Sequence, residues 1–106
     1  MAQNVEIGSY TGTGAAINIE LGFVPEYVLI ENATDGDANW KWFSGMADGS
    51  ALQQAAAGTK TLITSNGVSA LPGDRTTPRR PGFTVGTVLS ESGKVHRYVA
   101  MRSSAD

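Results

Sequence analysis

The stretch LGFVPEYVLIEN, Leu21 to Asn32, decides how the rest of the chain is read. Gly22 permits a bend or bulge, Phe23 can plug the end of a core, and Pro25 stops a ladder while fixing the backbone for the next element. Tyr27, Val28, Leu29 and Ile30 are all apolar or aromatic. A strand of that kind has both faces covered, one by an opposing sheet and one by a loop or a neighbouring subunit. Gly22, Phe23 and Pro25 are therefore expected to form a buried structural corner.

Working outward, the neighbouring segments read as strands as well. Ile17, Ile19 and Leu21 alternate with Asn18 and Glu20, and Val5 and Ile7 alternate with polar neighbours, the period of strands with one wet face. Tyr10 to Gly14 reads as a loop. Downstream, Trp40-Lys41-Trp42-Phe43 places both tryptophans on one face of a strand. Such a pair is either a platform for a sugar or base, or an aromatic strand in a core or subunit interface. Ser50 to Ala57 holds strong helix formers after Asp48 or Ser50 as a cap, and predicts a short helix or an extended loop packed on a partner. Thr59 to Thr64 reads as a strand, Asn66-Gly67 as a hairpin turn and Val68 to Leu71 as the returning strand. Phe83 and Val85 form a short strand, Glu91 to Lys94 a turn, and Val95 to Met101 a long final strand. The expectation is an all-β chain: a single antiparallel β-sandwich, jelly-roll-like, with at most one short helix.

Bulk properties limit the function classes. The 106 residues fit one domain, with thirteen glycines punctuating short apolar groups. No apolar run approaches the ~20 residues of a membrane span, and no charged start leads into an apolar signal region. A formal net charge of -2 argues against a nucleic-acid partner. Cysteine is absent, which removes disulfides, zinc-thiolate sites and thiol catalysis.

Chemical motifs are sparse. Asp35-Gly36-Asp37-Ala38-Asn39 has the spacing of half a calcium loop, but Trp40 stands where the glycine belongs and Met46 where the bidentate glutamate belongs. It reads as a solvated turn. Asn32-Ala33-Thr34 matches a glycosylation pattern only as a loop signal. His96 is the single histidine, without nucleophile-elbow or metal spacing, and reads as a surface or interface residue. No catalytic residue, cofactor or metal site is expected. The most function-like feature is Pro72 to Gly82, where Arg75, Arg79 and Arg80 supply forks for carboxylates while Pro78 and Pro81 stiffen the backbone. Arg75, Arg79 and Arg80, with Trp40 and Trp42, are the candidate partner-binding residues.

Four motifs carry a resemblance. Gly8-Ser9-Tyr10-Thr11-Gly12, the corner Gly22-Phe23-Val24-Pro25-Glu26-Tyr27-Val28, Gly82-Phe83-Thr84-Val85-Gly86 and Tyr98-Val99-Ala100 run nearly end to end. The series resembles small β-sandwich structural modules of tailed-bacteriophage virions. The Ala-Gln segment and the arginine-proline loop fall outside the shared pattern. The resemblance implies a capsid decoration or cement protein, assembled in the host cytoplasm, whose partner is the major capsid protein. A domain of this size with no disulfides, an aromatic strand and a two-sided apolar strand is expected to cover residual apolar surface by self-association, as a cyclic homo-oligomer matching a local symmetry of the capsid, with three copies preferred. The alternative within the same resemblance is a tail-tip or fibre module that binds a host-surface glycan through Trp40 and Trp42.

Overall fold

The computed structural model describes residues 4–76 and 79–102. The strands are β1 (Val5–Thr11), β2 (Ile17–Glu20), β3 (Tyr27–Asn32), β4 (Ala38–Phe43), β5 (Ser50–Ala55), β6 (Lys60–Leu71), β7 (Gly82–Val85) and β8 (Val95–Met101). A single 3-10 turn, Thr87–Leu89, is the helical element among the described residues. All pairings are antiparallel, in the order β1-β8-β3-β4-β5-β6-β7-β2. The all-β antiparallel expectation holds, and the two layers are the two halves of one continuous sheet that curls into a half-barrel. The curl brings β7 over β8, although four strands separate them in the sheet. Phe83 meets Tyr98 edge-on at 5.3 Å between ring centroids, and the Tyr10 hydroxyl donates to the Leu89 carbonyl at 2.7 Å. Val28, Ile30, Trp40, Trp42, Val68, Phe83, Val85 and Leu89 fill the concave side.

The corner is built as its residues require. Leu21, Phe23 and Pro25 turn inward in succession and are buried. Gly22 between them has φ +103°, a left-handed conformation that side chains resist, and the Arg80 guanidinium occupies the space a Cβ would need. The Leu21 and Gly22 N–H groups both donate to the Pro81 carbonyl at 2.9 Å. In this way the end of β2 is tied to the arginine-proline loop, and the Arg102 guanidinium covers the Phe23 ring at 4.9 Å.

Three local expectations are corrected. Ser50 to Ala55 is neither a helix nor a loop but β5, hydrogen-bonded to β4 on one side and β6 on the other. As a helix it would bury only Leu52. As a strand it buries Ala51 and sets the Gln53 Oε1 to accept from Trp40 Nε1 at 2.8 Å, so tertiary pairing overrides helix propensity. Asn66-Gly67 does not close a hairpin. Asn66 does adopt the left-handed φ of 60° that such a turn uses, but β6 runs on through it. Its first half pairs with β5 up to Ile63, its second half pairs with β7 from Val68, and Thr64 to Gly67 bulge between. The Gly67 carbonyl accepts from Gly86 N–H at 2.7 Å, a backbone approach that leaves no room for a side chain at Gly86. Finally, β1 keeps its period of two with the faces reversed. Val5 and Ile7 face solvent, Ile7 with 72% exposure, while Gly8 and Tyr10 face inward.

Candidate functional site

The reversal in β1 belongs to a larger pattern on the convex side of the sheet. Register places Val5, Met101, Tyr27 and Phe43 side by side across four strands. The next outward-facing row runs Ile7, Val99, Leu29, Lys41, Leu52 and Leu62 across six. Val5, Ile7, Met101, Phe43, Leu52 and Leu62 are exposed, Leu62 to 58%, and Tyr27, Leu29 and Val99 are half-buried. The Tyr27 and Phe43 rings tilt together at 5.0 Å. A shallow depression of about 260 Å³ opens among Ile7, Leu29, Ala33 and Val99, with Glu31 and Arg97 at its rim. The row beyond is polar: Ser9, Arg97, Glu31, Asn39, Gln54 and Lys60. An apolar field with a polar border is the anatomy of a protein-binding surface.

The tryptophans lie on the opposite side. Trp40 and Trp42 are 4% and 3% exposed and belong to the core, so they form no platform for a glycan or a partner. Their strand alternates with Lys41 and Phe43 outward, and the curl of the sheet closes over the tryptophan face. His96 is also corrected from a surface to a core residue. It stacks parallel on Tyr10 at 4.9 Å, lies 5.9 Å from Trp40, and holds Nδ1 3.1 Å from the Lys94 carbonyl. Burial pushes its pKa below the ordinary histidine value, against the opposing pull of that carbonyl and of the Glu91 and Asp37 carboxylates. Among the described residues, His96 Nε2 and Trp42 Nε1 find no hydrogen-bond partner.

The basic loop turns mostly upon its own chain. Arg79 Nε and Nη2 donate to the Pro72 carbonyl at 3.1 and 2.9 Å, and Arg80 Nη2 donates to the Leu21 carbonyl at 3.0 Å. The Arg80 N–H donates to the Glu20 carboxylate at 3.1 Å. These two arginines therefore clamp the loop and the corner. Arg75 is exposed at the tip, beyond the bridge between Asp74 and Arg79, and is not gathered with the other two into one fork. Pro78 lies outside the described residues, and Pro81 serves as the acceptor at the corner.

The half-calcium-loop turn brings Asp35 and Asp37 beside Glu91, with carboxylate oxygens within 4.8 Å of one another. All three are exposed, and Lys94 Nζ stands 3.4 Å from Asp35. The outward apolar rows are what residue-by-residue reading misses. Their one visible trace in the sequence is the run Tyr27 to Ile30, apolar on both faces. Comparison with family models, with curated proteins and with solved structures finds no match to this chain.

Proposed function

We propose that this chain is a structural protein that works by docking, and that it decorates the outside of a bacteriophage capsid as a cement protein. The observation that carries the reading is the apolar field on the convex face, centred on Ile7, Leu29 and Val99. A field of this kind buried against the major capsid protein stabilises the assembled lattice by mass action, with no chemical step. On a repeating lattice, several such contacts engage together and gain avidity. The capsid itself is inferred from the four sequence motifs that resemble virion modules. The glycan-binding alternative loses its platform, because Trp40 and Trp42 lie in the core.

The test uses purified heads stripped of the native protein. Occupancy is measured at limiting protein for the parent and for a Leu29→Gln, Val99→Gln variant, alongside melting temperature. A fully buried aliphatic side chain contributes about 1.5–3 kcal/mol. Occupancy should therefore fall at least about tenfold, since 1.4 kcal/mol is a factor of ten. Equal occupancy with unchanged melting would refute the convex face as the attachment surface. Failure of the parent to bind any head would refute the capsid.

A further inference from the structure

The first strand ends the sheet, and the direction of its backbone groups is fixed by its neighbour. The Gly12 N–H donates to the Lys94 carbonyl at 2.9 Å, and the Arg102 N–H donates to the Asn4 carbonyl at 2.9 Å. Both pairs continue the register that sets Val5 opposite Met101 and Thr11 opposite Val95. Backbone groups alternate sides along an antiparallel strand, so Glu6, Gly8 and Tyr10 point theirs at β8. The N–H and C=O groups of Val5, Ile7, Ser9 and Thr11 consequently point off the sheet.

Edges of this kind are ordinarily blunted by short length, charge, proline or a bulge. The other edge, β2, follows that rule. It spans only Ile17–Glu20, and the Leu21 N–H bond to Pro81 continues its register, so Asn18 and Glu20 are the residues facing outward. Glu20 is exposed at its end, with its carboxylate accepting from the Arg80 N–H. By contrast β1 has seven residues, VEIGSYT, with no proline, no basic residue and an unbroken register. Its one charge, Glu6, lies on the half-buried inward face.

We infer that β1 pairs antiparallel with β1 of a second copy, across a two-fold axis at Gly8. In this register Val5 lies opposite Thr11 of the partner subunit, and Ile7 opposite Ser9 of the partner subunit. All four outward-pointing residues of each copy then exchange both backbone hydrogen bonds. Glu6 falls opposite Tyr10 of the partner subunit, with no like charges facing. An axis at Glu6 would set the two Glu6 carboxylates directly across from each other, which is destabilising. An axis at Ser9 would carry Val5 past the end of the partner strand. The two-fold register joins the convex apolar rows of both copies edge to edge. It also replaces the three-fold symmetry expected from sequence, because a ring needs β1 to meet a different surface and the second edge is short. This inference stands whether or not the lattice is a capsid.

The full chain is examined by sedimentation velocity between about 5 and 500 µM. A concentration-dependent dimer is expected. Ser9→Pro removes an N–H only from the free side of β1, and Gly8 before it accommodates the restricted backbone, so this variant should stay folded and sediment as a monomer. Ile7→Lys supplies the missing edge charge, and should raise the dimer Kd at least about 30-fold at unchanged melting temperature. In a mixed isotope-labelled and unlabelled sample, a cross-subunit signal between the two Gly8 Hα protons should appear, since these protons are close in a non-hydrogen-bonded pair. A parent that is monomeric throughout, a trimer, or a dimer that survives Ser9→Pro and Ile7→Lys would overturn the inference. So would a dimer that gives no Gly8 contact.

Discussion

Mild acid should loosen this protein, and His96 is the reason. The ring is fully buried between Tyr10 and Trp40, and desolvation lowers its pKa despite the Lys94 carbonyl and the nearby Glu91 and Asp37 carboxylates. The unfolded chain binds a proton near pH 6.5 that the folded chain refuses, so stability is present above that value. It is lost as pH falls from about 6.5 toward the lowered folded-state pKa, with a limiting slope of about 1.4 kcal/mol per pH unit. Between pH 6.5 and 5.5 the loss has an upper limit of about 1 kcal/mol, which corresponds to at most about 4–8 °C in melting temperature for a domain of this size. Thermal denaturation at pH 7.5, 6.5 and 5.5 measures it. His96→Phe keeps an aromatic ring on Tyr10 and should flatten the profile over that interval. Because the chain has one histidine, its ring protons report the titration directly by NMR. An ordinary midpoint in the folded protein, or an equal slope in His96→Phe, would refute the reasoning.

Two further outcomes follow from the corner. Phe23→Ala empties the buried plug beneath Arg102 and should cost about 3–5 kcal/mol in urea denaturation; a loss below ~1 kcal/mol would place the ring outside the core. Arg80→Ala removes the donor to the Leu21 carbonyl and should cost about 1 kcal/mol, whereas Arg75→Ala should stay within about 0.5 kcal/mol. Equal effects of the two arginines would contradict the clamp.

The corner is legible from sequence because glycine, an aromatic and proline each constrain the backbone where they stand. Strand period is legible for the same local reason. Direction is not. Val5 and Ile7 alternate as expected, but their outward orientation is set by Tyr98, whose hydroxyl occupies the space beside Gly8 and admits only glycine there. Asn66 supplies the local conformation of a hairpin, but Val68 to Leu71 pair with β7 instead of folding back on the first half of β6, so the strand continues. The arginines are visible as forks while their acceptors are not, since Leu21 lies 59 residues from Arg80. The convex apolar rows are assembled from six strands that are distant in sequence, so no single window contains them.

The strand order β1-β8-β3 places the last strand of the chain between the first and the third. During synthesis β1 therefore leaves the ribosome long before its neighbour exists. At about 5–20 residues per second, the interval from Thr11 to Val95 is roughly 4–17 s. Throughout it β1 is exposed on both edges and β3 on one, and Ile7 and Leu29 have no Val99 to lie against. Refolding from denaturant starts with the whole chain present and avoids that wait, though it must still close a loop spanning nearly the full length before β8 can insert. The nascent chain is thus most vulnerable to aggregation and proteolysis just before β8 is made, and a polypeptide stopped short of Val95 loses the bridge between its first strand and the rest of the sheet.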